Sequence, residues 1–259
     1  MIKFHIVIVQ IIFVLTFIGG FKVAVPECNA TSFKCSSITE DLGYSLLYEG
    51  ESCCQTRFDS SLNWYGIYET AIGDSLIQVQ MFHDTVTGYD GHLWNKIYTD
   101  QSRVRQSKYL LGSKFALREK LLNAGTNSFP HRGFLFPGQR ANVYSILRPG
   151  ISGDCVTLIA TGNVKSIGYC PEMENYRIMI TNTQSYEIIQ DLTNEFDFKG
   201  ECGMFELVWF GDIDEDQKPD MIFSASNNAE GLETLFLTSV AEKGAYIKKV
   251  TAAYGCDCT

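Results

Sequence analysis

"YRIMITNTQSYEIIQDL" (176–192) sets two runs rich in β-branched and aromatic residues on either side of the polar segment Asn182–Ser185. Such residues suit the pleated, half-buried surface of a sheet, and a short polar break between two runs reads as a hairpin turn. The same character extends outward along the chain. "SLIQVQMF" (75–82) alternates Leu76, Gln78 and Gln80 against Ile77, Val79 and Met81. "GHLWNKIYTD" (91–100), "ANVYSIL" (141–147) and "CVTLIATG" (155–162) read as strands too, and 233–254 reads as two strands joined at Ala241–Gly244. Helical periodicity is nearly absent. The best helix candidate, "SKFALREKLLNAG" (113–125), is closed by Gly125 and reads equally as a strand followed by a turn. The expected fold class is therefore mainly β, with antiparallel sheets in a sandwich-like arrangement.

The chain has 259 residues, and its start differs from the rest. Lys3, an apolar run from Ile6 to Ile18, and then Gly19 and Gly20 predict a signal peptide over residues 1–24. The run has the length of a signal-peptide apolar region and is short for a membrane span. No Ala-x-Ala pattern fixes the cleavage point, and an uncleaved anchor is the alternative reading. No second run of membrane length follows, so membrane contact is expected only through that segment. Pro130, Gly133, Pro137 and Gly138 interrupt the remainder. They suggest a β-rich region over 25–137 and a second over 138–259.

A formal net charge of −9 argues against nucleic acid, which asks for a basic face. All nine cysteines follow the apolar run: Cys28, Cys35, Cys53, Cys54, Cys155, Cys170, Cys202, Cys256 and Cys258. Behind an export signal they read as disulfides formed in the periplasm or outside the cell. The count is odd, so at least one thiol stands outside intrachain pairing. Cys155 with Cys170, and Cys202 with Cys256 or Cys258, are local candidates. Zinc would want Cys-x-x-Cys or Cys/His knuckles, which are missing.

The densest chemistry lies in "WFGDIDEDQKPDMIF" (209–223). Counted from Asp212, carboxylates fall at positions 1, 3, 5 and 9: Asp212, Asp214, Asp216 and Asp220. Alternate residues of a tight loop can turn their side chains to a common centre, where four carboxylates without a cation repel one another. Ca²⁺ relieves that repulsion and accepts six to eight oxygens in flexible geometry, whereas Mg²⁺ demands a stricter octahedron. Lys218 at position 7 would lend its main-chain carbonyl. An EF-hand needs a bidentate Glu at position 12, and Phe223 stands there, inside the strand-like run "DMIFSAS" (220–226).

The segment "GDIDEDQKPDMIF" resembles the FG-GAP/VCBS calcium loop of integrin-like β-propeller blades, in which Asp-x-Asp-x-Asp-Gly-x-x-Asp precedes a hydrophobic strand. The resemblance implies a structural Ca²⁺ held by the side chains of Asp212, Asp214, Asp216 and Asp220 and by the Lys218 carbonyl. Gln217 departs from it, standing where the family carries Gly. If that position needs a positive φ, Gln bears a backbone cost that Gly avoids. The continuation from Leu235 is also similar to the tail of exported bacterial proteins that carry one such loop. A propeller needs about four or more blades; one loop in the chain argues against a complete one.

Other constellations are weaker. His83, Asp84, Asp90 and His92 lie close in sequence but lack a metal-enzyme spacing such as His-Glu-x-x-His. His131 sits beside Pro130 in the turn-rich segment, and Cys53–Cys54 lacks any Cys/His signature for a nucleophile. No nucleophile elbow, phosphate loop or dinucleotide fingerprint occurs. Trp64, Tyr65, Tyr68 and Trp94 read either as core or as an aromatic recognition face. Together these features lead to an exported, disulfide-stabilised β protein with one structural calcium site. Its expected role is non-enzymatic interaction, adhesion or cell-envelope organisation, with an unknown protein or carbohydrate as partner. The alternatives are a secreted hydrolase built from separated carboxylates and His83/His92, or a carbohydrate-binding module.

Overall fold

The computed structural model describes residues 42–52, 58–71, 73–87, 91, 93–122, 134–148, 151–166, 171–196, 204–227 and 230–256. The signal-like segment, His92, His131 and every cysteine except Cys155 and Cys256 lie outside them.

The described chain is mainly β, and the strands pair antiparallel throughout. Before residue 123 run β1 (Tyr44–Leu47), β2 (Gly50–Ser52), β3 (Asn63–Thr70), β4 (Gly73–Gln78), β5 (Met81–Thr87), β6 (Leu93–Thr99), β7 (Tyr109–Ser113) and β8 (Lys120–Leu122). After it run β9 (Arg140–Arg148), β10 (Ile151–Ser166), β11 (Glu172–Asn182), β12 (Ile188–Asp191), β13 (Met204–Gly211), β14 (Asp220–Asn227), β15 (Glu230–Leu237) and β16 (Lys248–Cys256).

These strands make four sheets that stack face to face. An outer sheet, β2-β6-β5, covers one face of an inner five-stranded sheet, β1-β7-β3-β4-β8. Leu47, Trp64, Tyr68, Val79, Ile97 and Leu110 fill the space between them. The other face of that inner sheet meets the meander β13-β14-β15-β16 through Tyr65, Ile67, Leu76 and Leu111 on one side and Trp209, Ile222, Leu235 and Leu237 on the other. The meander in turn covers the second outer sheet, β12-β11-β10-β9, over a core that includes Phe205, Phe223, Val143, Leu158 and Ile180. Phe196, Phe205, Phe223 and Phe236 meet there with ring centroids 4.5–5.8 Å apart. Among the described residues none of the sheets closes into a barrel or propeller. Strands of both expected regions share the central core, because the two inner sheets bury their faces on each other.

A strand buried on both faces has no polar side to alternate, so it reads as a nearly continuous apolar run. "MFELVWFG" in β13 is such a run, and a bulge inside it matters. The pairing of β13 with β14 slips between Leu207 and Trp209. The extra residue reverses the facing of everything after it. Phe205 and Leu207 point to the outer sheet, while Trp209 turns to the inner one and Phe210 restores the outer contact. Gly211 leaves room for the Trp209 indole, since a Cβ there would lie 2.7 Å from the ring.

The structure bears out the hairpin at 182–185, where the Asn182 carboxamide accepts the amides of Gln184 and Ser185 at 2.8 and 2.9 Å. Three expectations are corrected. Residues 114–119 are irregular and 120–122 are strand β8, so the candidate helix over 113–125 does not form in its described part. The alternating run 75–82 is not one strand: it crosses from β4 to β5 at Val79–Gln80 and so serves two stacked sheets. The connection between β15 and β16 spans residues 238–247 rather than the four residues 241–244.

Candidate metal centre

The acidic loop joins β13 to β14 at one end of the inner meander. Left-handed backbone at Glu215 (φ 68°) and Gln217 (φ 70°) tightens it. The turn aims the Gln217 amide at Asp212 Oδ2 (3.1 Å) and the Lys218 amide at Asp216 Oδ1 (2.9 Å). Asp212, Asp214 and Asp216 thereby converge, each offering a carboxylate oxygen within 4.8 Å of the others. Asp212 Oδ1 and Asp214 Oδ1 are buried and meet no hydrogen-bond donor. Burial pushes the Asp212 carboxyl above its ordinary range, partly offset by Lys120. Burial also raises Asp214, with the Asp216 charge adding to it and the Ser239 hydroxyl opposing it.

Asp220 sits differently from the other three. Its side chain is wholly buried at the start of β14 and ties three strands' ends together. Oδ2 accepts the Ile213 amide at 2.8 Å, and Oδ1 accepts the Thr238 amide at 3.0 Å with the Thr238 Oγ1 atom 3.2 Å away. Burial holds its carboxyl well above the usual range, reinforced by the nearby Asp214. The Lys218 ammonium lies 6.0 Å from the Tyr246 ring centroid. Lys120 approaches the loop from β8, 3.7 Å from the exposed Glu215 carboxylate. Phe223, at the position where an EF-hand would carry Glu, is buried inside strand β14.

Two residues at the site were invisible to spacing arguments. Thr238 Oγ1 donates to Asp216 Oδ2 at 2.7 Å, and Ser239 Oγ donates to Asp214 Oδ2. They come from the far end of β15, and no pattern within 209–223 announces them.

The other sequence candidates scatter. His83 on β5 hydrogen-bonds Asn95 Oδ1 at 2.8 Å, and Asp84 accepts the Tyr98 hydroxyl at 2.8 Å; both bonds are exposed, and as neighbours on one strand the two residues point to opposite faces of the outer sheet. Asp90, His92, His131, Cys53 and Cys54 lie outside the described residues. Trp64, Tyr65 and Tyr68 are buried between sheets and do not form a recognition face; Trp94 is half-buried on β6. Cys155 lies on β10 with its sulfur 3.5 Å from Thr183 Oγ1. Its suggested partner Cys170, like Cys202 and Cys258, is outside the described residues.

Compared with protein-family models, curated proteins and solved structures, the chain matches none.

Proposed function

We propose that the chain is an exported, disulfide-stabilised β protein carrying one structural Ca²⁺ at the β13–β14 loop. Its role on this reading is non-enzymatic: interaction, adhesion or cell-envelope organisation, with a protein or carbohydrate partner. One observation carries the calcium reading: three carboxylates converge within 4.8 Å while buried oxygens of Asp212 and Asp214 lack any donor. A buried carboxylate oxygen without a partner is costly, and a cation offsets that cost at both. Asp212, Asp214 and Asp216 supply side-chain oxygens on this reading, Lys218 a carbonyl, and Asp220 a free lone pair beside its hydrogen bonds. The all-oxygen set suits Ca²⁺, whose coordination geometry is flexible, better than Mg²⁺, which demands a near-ideal octahedron. The family likeness to FG-GAP/VCBS loops stands on the same residues. Export and disulfides rest on the apolar run 6–18 and the nine cysteines that follow it.

Thermal unfolding in millimolar Ca²⁺ and then in chelator tests the ion. A ligand bound only by the native state at a hundredfold excess over Kd stabilises it by about 2.7 kcal/mol. The expected result is a clear fall in Tm with chelator, abolished in Asp214→Ala. An unchanged wild-type Tm, with no calcium by elemental analysis, sinks the reading.

A further inference from the structure

The aspartate loop is not self-contained. Of its four aspartates, three are held by two consecutive residues from another part of the chain. Thr238 donates its hydroxyl to Asp216 and its amide to Asp220, whose Oδ1 also lies 3.2 Å from the same hydroxyl, and Ser239 donates to Asp214. The loop's own amides secure Asp212 and the second oxygen of Asp216. We propose, resting on the calcium reading above, that Thr238 and Ser239 are positioning residues of the cation site, and that cation binding orders the β15–β16 connection they begin.

The physical argument has two parts. Carboxylates crowded around an absent cation repel and turn apart unless donors fix them, and an oxygen that accepts one hydroxyl keeps a second lone pair for a metal. Donors in the outer shell of a metal site orient the ligands, and their loss commonly lowers affinity about 10- to 100-fold. Asp212 Oδ1 and Asp214 Oδ1, buried and without donors, are the atoms this scaffold leaves for a ligand.

The second part is what the same two residues anchor. Residues 238–247 form the connection from β15 to β16, with the Ala241 amide on the Thr238 carbonyl at 3.1 Å. Its far end is gripped by Gln190 of β12, whose Oε1 accepts the amides of Tyr246 and Ile247 at 2.8 and 3.0 Å. Gln190 Nε2 donates to the Ile247 carbonyl at 3.0 Å. The connection is thus fixed at one end by the aspartates and at the other by the outer sheet. A cation that draws Asp214 and Asp216 inward tightens the first of these anchors.

The test uses the full chain as wild type, Thr238→Val, Thr238→Ser and Ser239→Ala. Calcium affinity is measured by titration, and amide exchange over 238–247 is followed with calcium and with chelator. Thr238→Val and Ser239→Ala are expected to weaken calcium binding about 10-fold or more, with Thr238→Ser restoring most of it. In wild type, calcium should slow exchange in 238–247, and in Thr238→Val that protection should disappear. Wild-type affinity in Thr238→Val and Ser239→Ala, with exchange over 238–247 indifferent to calcium, overturns the positioning role and leaves the calcium site standing. A wild-type chain that binds no calcium overturns the site and this inference together. If Thr238→Val fails to fold, the comparison of Ser239→Ala with wild type carries the same decision.

Discussion

The Trp209 indole N–H donates to Asp74 Oδ2 at 2.9 Å across the interface of the two inner sheets. Both groups are buried, and Asp74 Oδ1 accepts the Lys108 ammonium at 2.9 Å. One carboxylate on β4 therefore satisfies a donor from its own sheet and one from the opposing meander. The bulge in β13 brings this about, because without it Trp209 would face the outer sheet. Trp209→Phe should destabilise the fold by about 2–4 kcal/mol, combining lost volume with a buried oxygen left short of a donor. Denaturant unfolding of Trp209→Phe, Asp74→Asn and the double variant should give a coupling energy of about 1 kcal/mol. Strict additivity would mean the bond contributes nothing.

Asp220 closes the acidic loop whether or not a cation is present, since both its oxygens hold backbone amides. Asp220→Asn turns one of those acceptors into a donor that faces a donor. The expected loss is about 2 kcal/mol, or roughly 5 °C in Tm for a domain of this size. Melting in the presence of chelator isolates the clamp from any metal. An Asp220→Asn chain that melts there with the wild type would show that the clamp is dispensable.

The parts legible in the sequence were those written locally. β-branched runs and polar turns gave the strands and the hairpin at Asn182, and the 1, 3, 5, 9 spacing led to an expectation of four converging carboxylates, of which Asp212, Asp214 and Asp216 come together while Asp220 is turned to backbone amides. What stayed hidden depended on partners distant in sequence. "SLIQVQMF" alternates without a break, yet it serves two sheets, because the chain crosses between them at Val79 while keeping its apolar side inward. "SKFALREKLLNAG" has residues that favour helix, but Lys120–Leu122 pairs with β4 and the sheet overrides the propensity. Trp64 and Tyr68 could not be told from a surface face, since burial between stacked sheets is a tertiary fact. Thr238 and Ser239 carried no signal for the same reason.

Glu233 provides a pH test away from the acidic loop. It lies on β15 facing the inner five-stranded sheet, where the hydroxyls of Tyr48 and Tyr109 interact with its carboxyl and its Oε2 is buried without a partner. Burial raises its carboxyl above the usual range, the two tyrosines opposing this in part. Glu206 is the other acid near it and is raised by burial and then by Glu233. Burial drives both phenols far above their usual range, so they stay protonated throughout. A raised acid stabilises the fold fully below the unfolded carboxyl pKa, about 4.3, and that contribution is lost as pH rises through the folded value. Glu233→Gln mimics the protonated form at every pH. In chelator, its Tm relative to wild type should therefore climb as pH rises from 4 to about 8. A difference that is flat, or that falls with pH, would contradict the assignment.

Gln217 stands at φ 70° where the resembled loops carry Gly, so the backbone cost anticipated from sequence is present in the fold. A left-handed conformation costs an L-residue roughly 1–2 kcal/mol, while glycine adopts it freely but gives up about 0.5–1 kcal/mol of chain entropy. Gln217→Gly should therefore stabilise the chain by about 0.5–1 kcal/mol. The gain should persist in chelator, because the left-handed turn belongs to the loop itself. Gln217→Pro is the opposing control: its φ is fixed near −65°, and it removes the amide that Asp212 Oδ2 accepts at 3.1 Å. That variant should lose stability in chelator and bind calcium more weakly than wild type. Paired melting curves decide the matter. If Gln217→Gly lowers Tm, the side chain contributes more to the loop than its backbone strain costs, and the position does not ask for glycine.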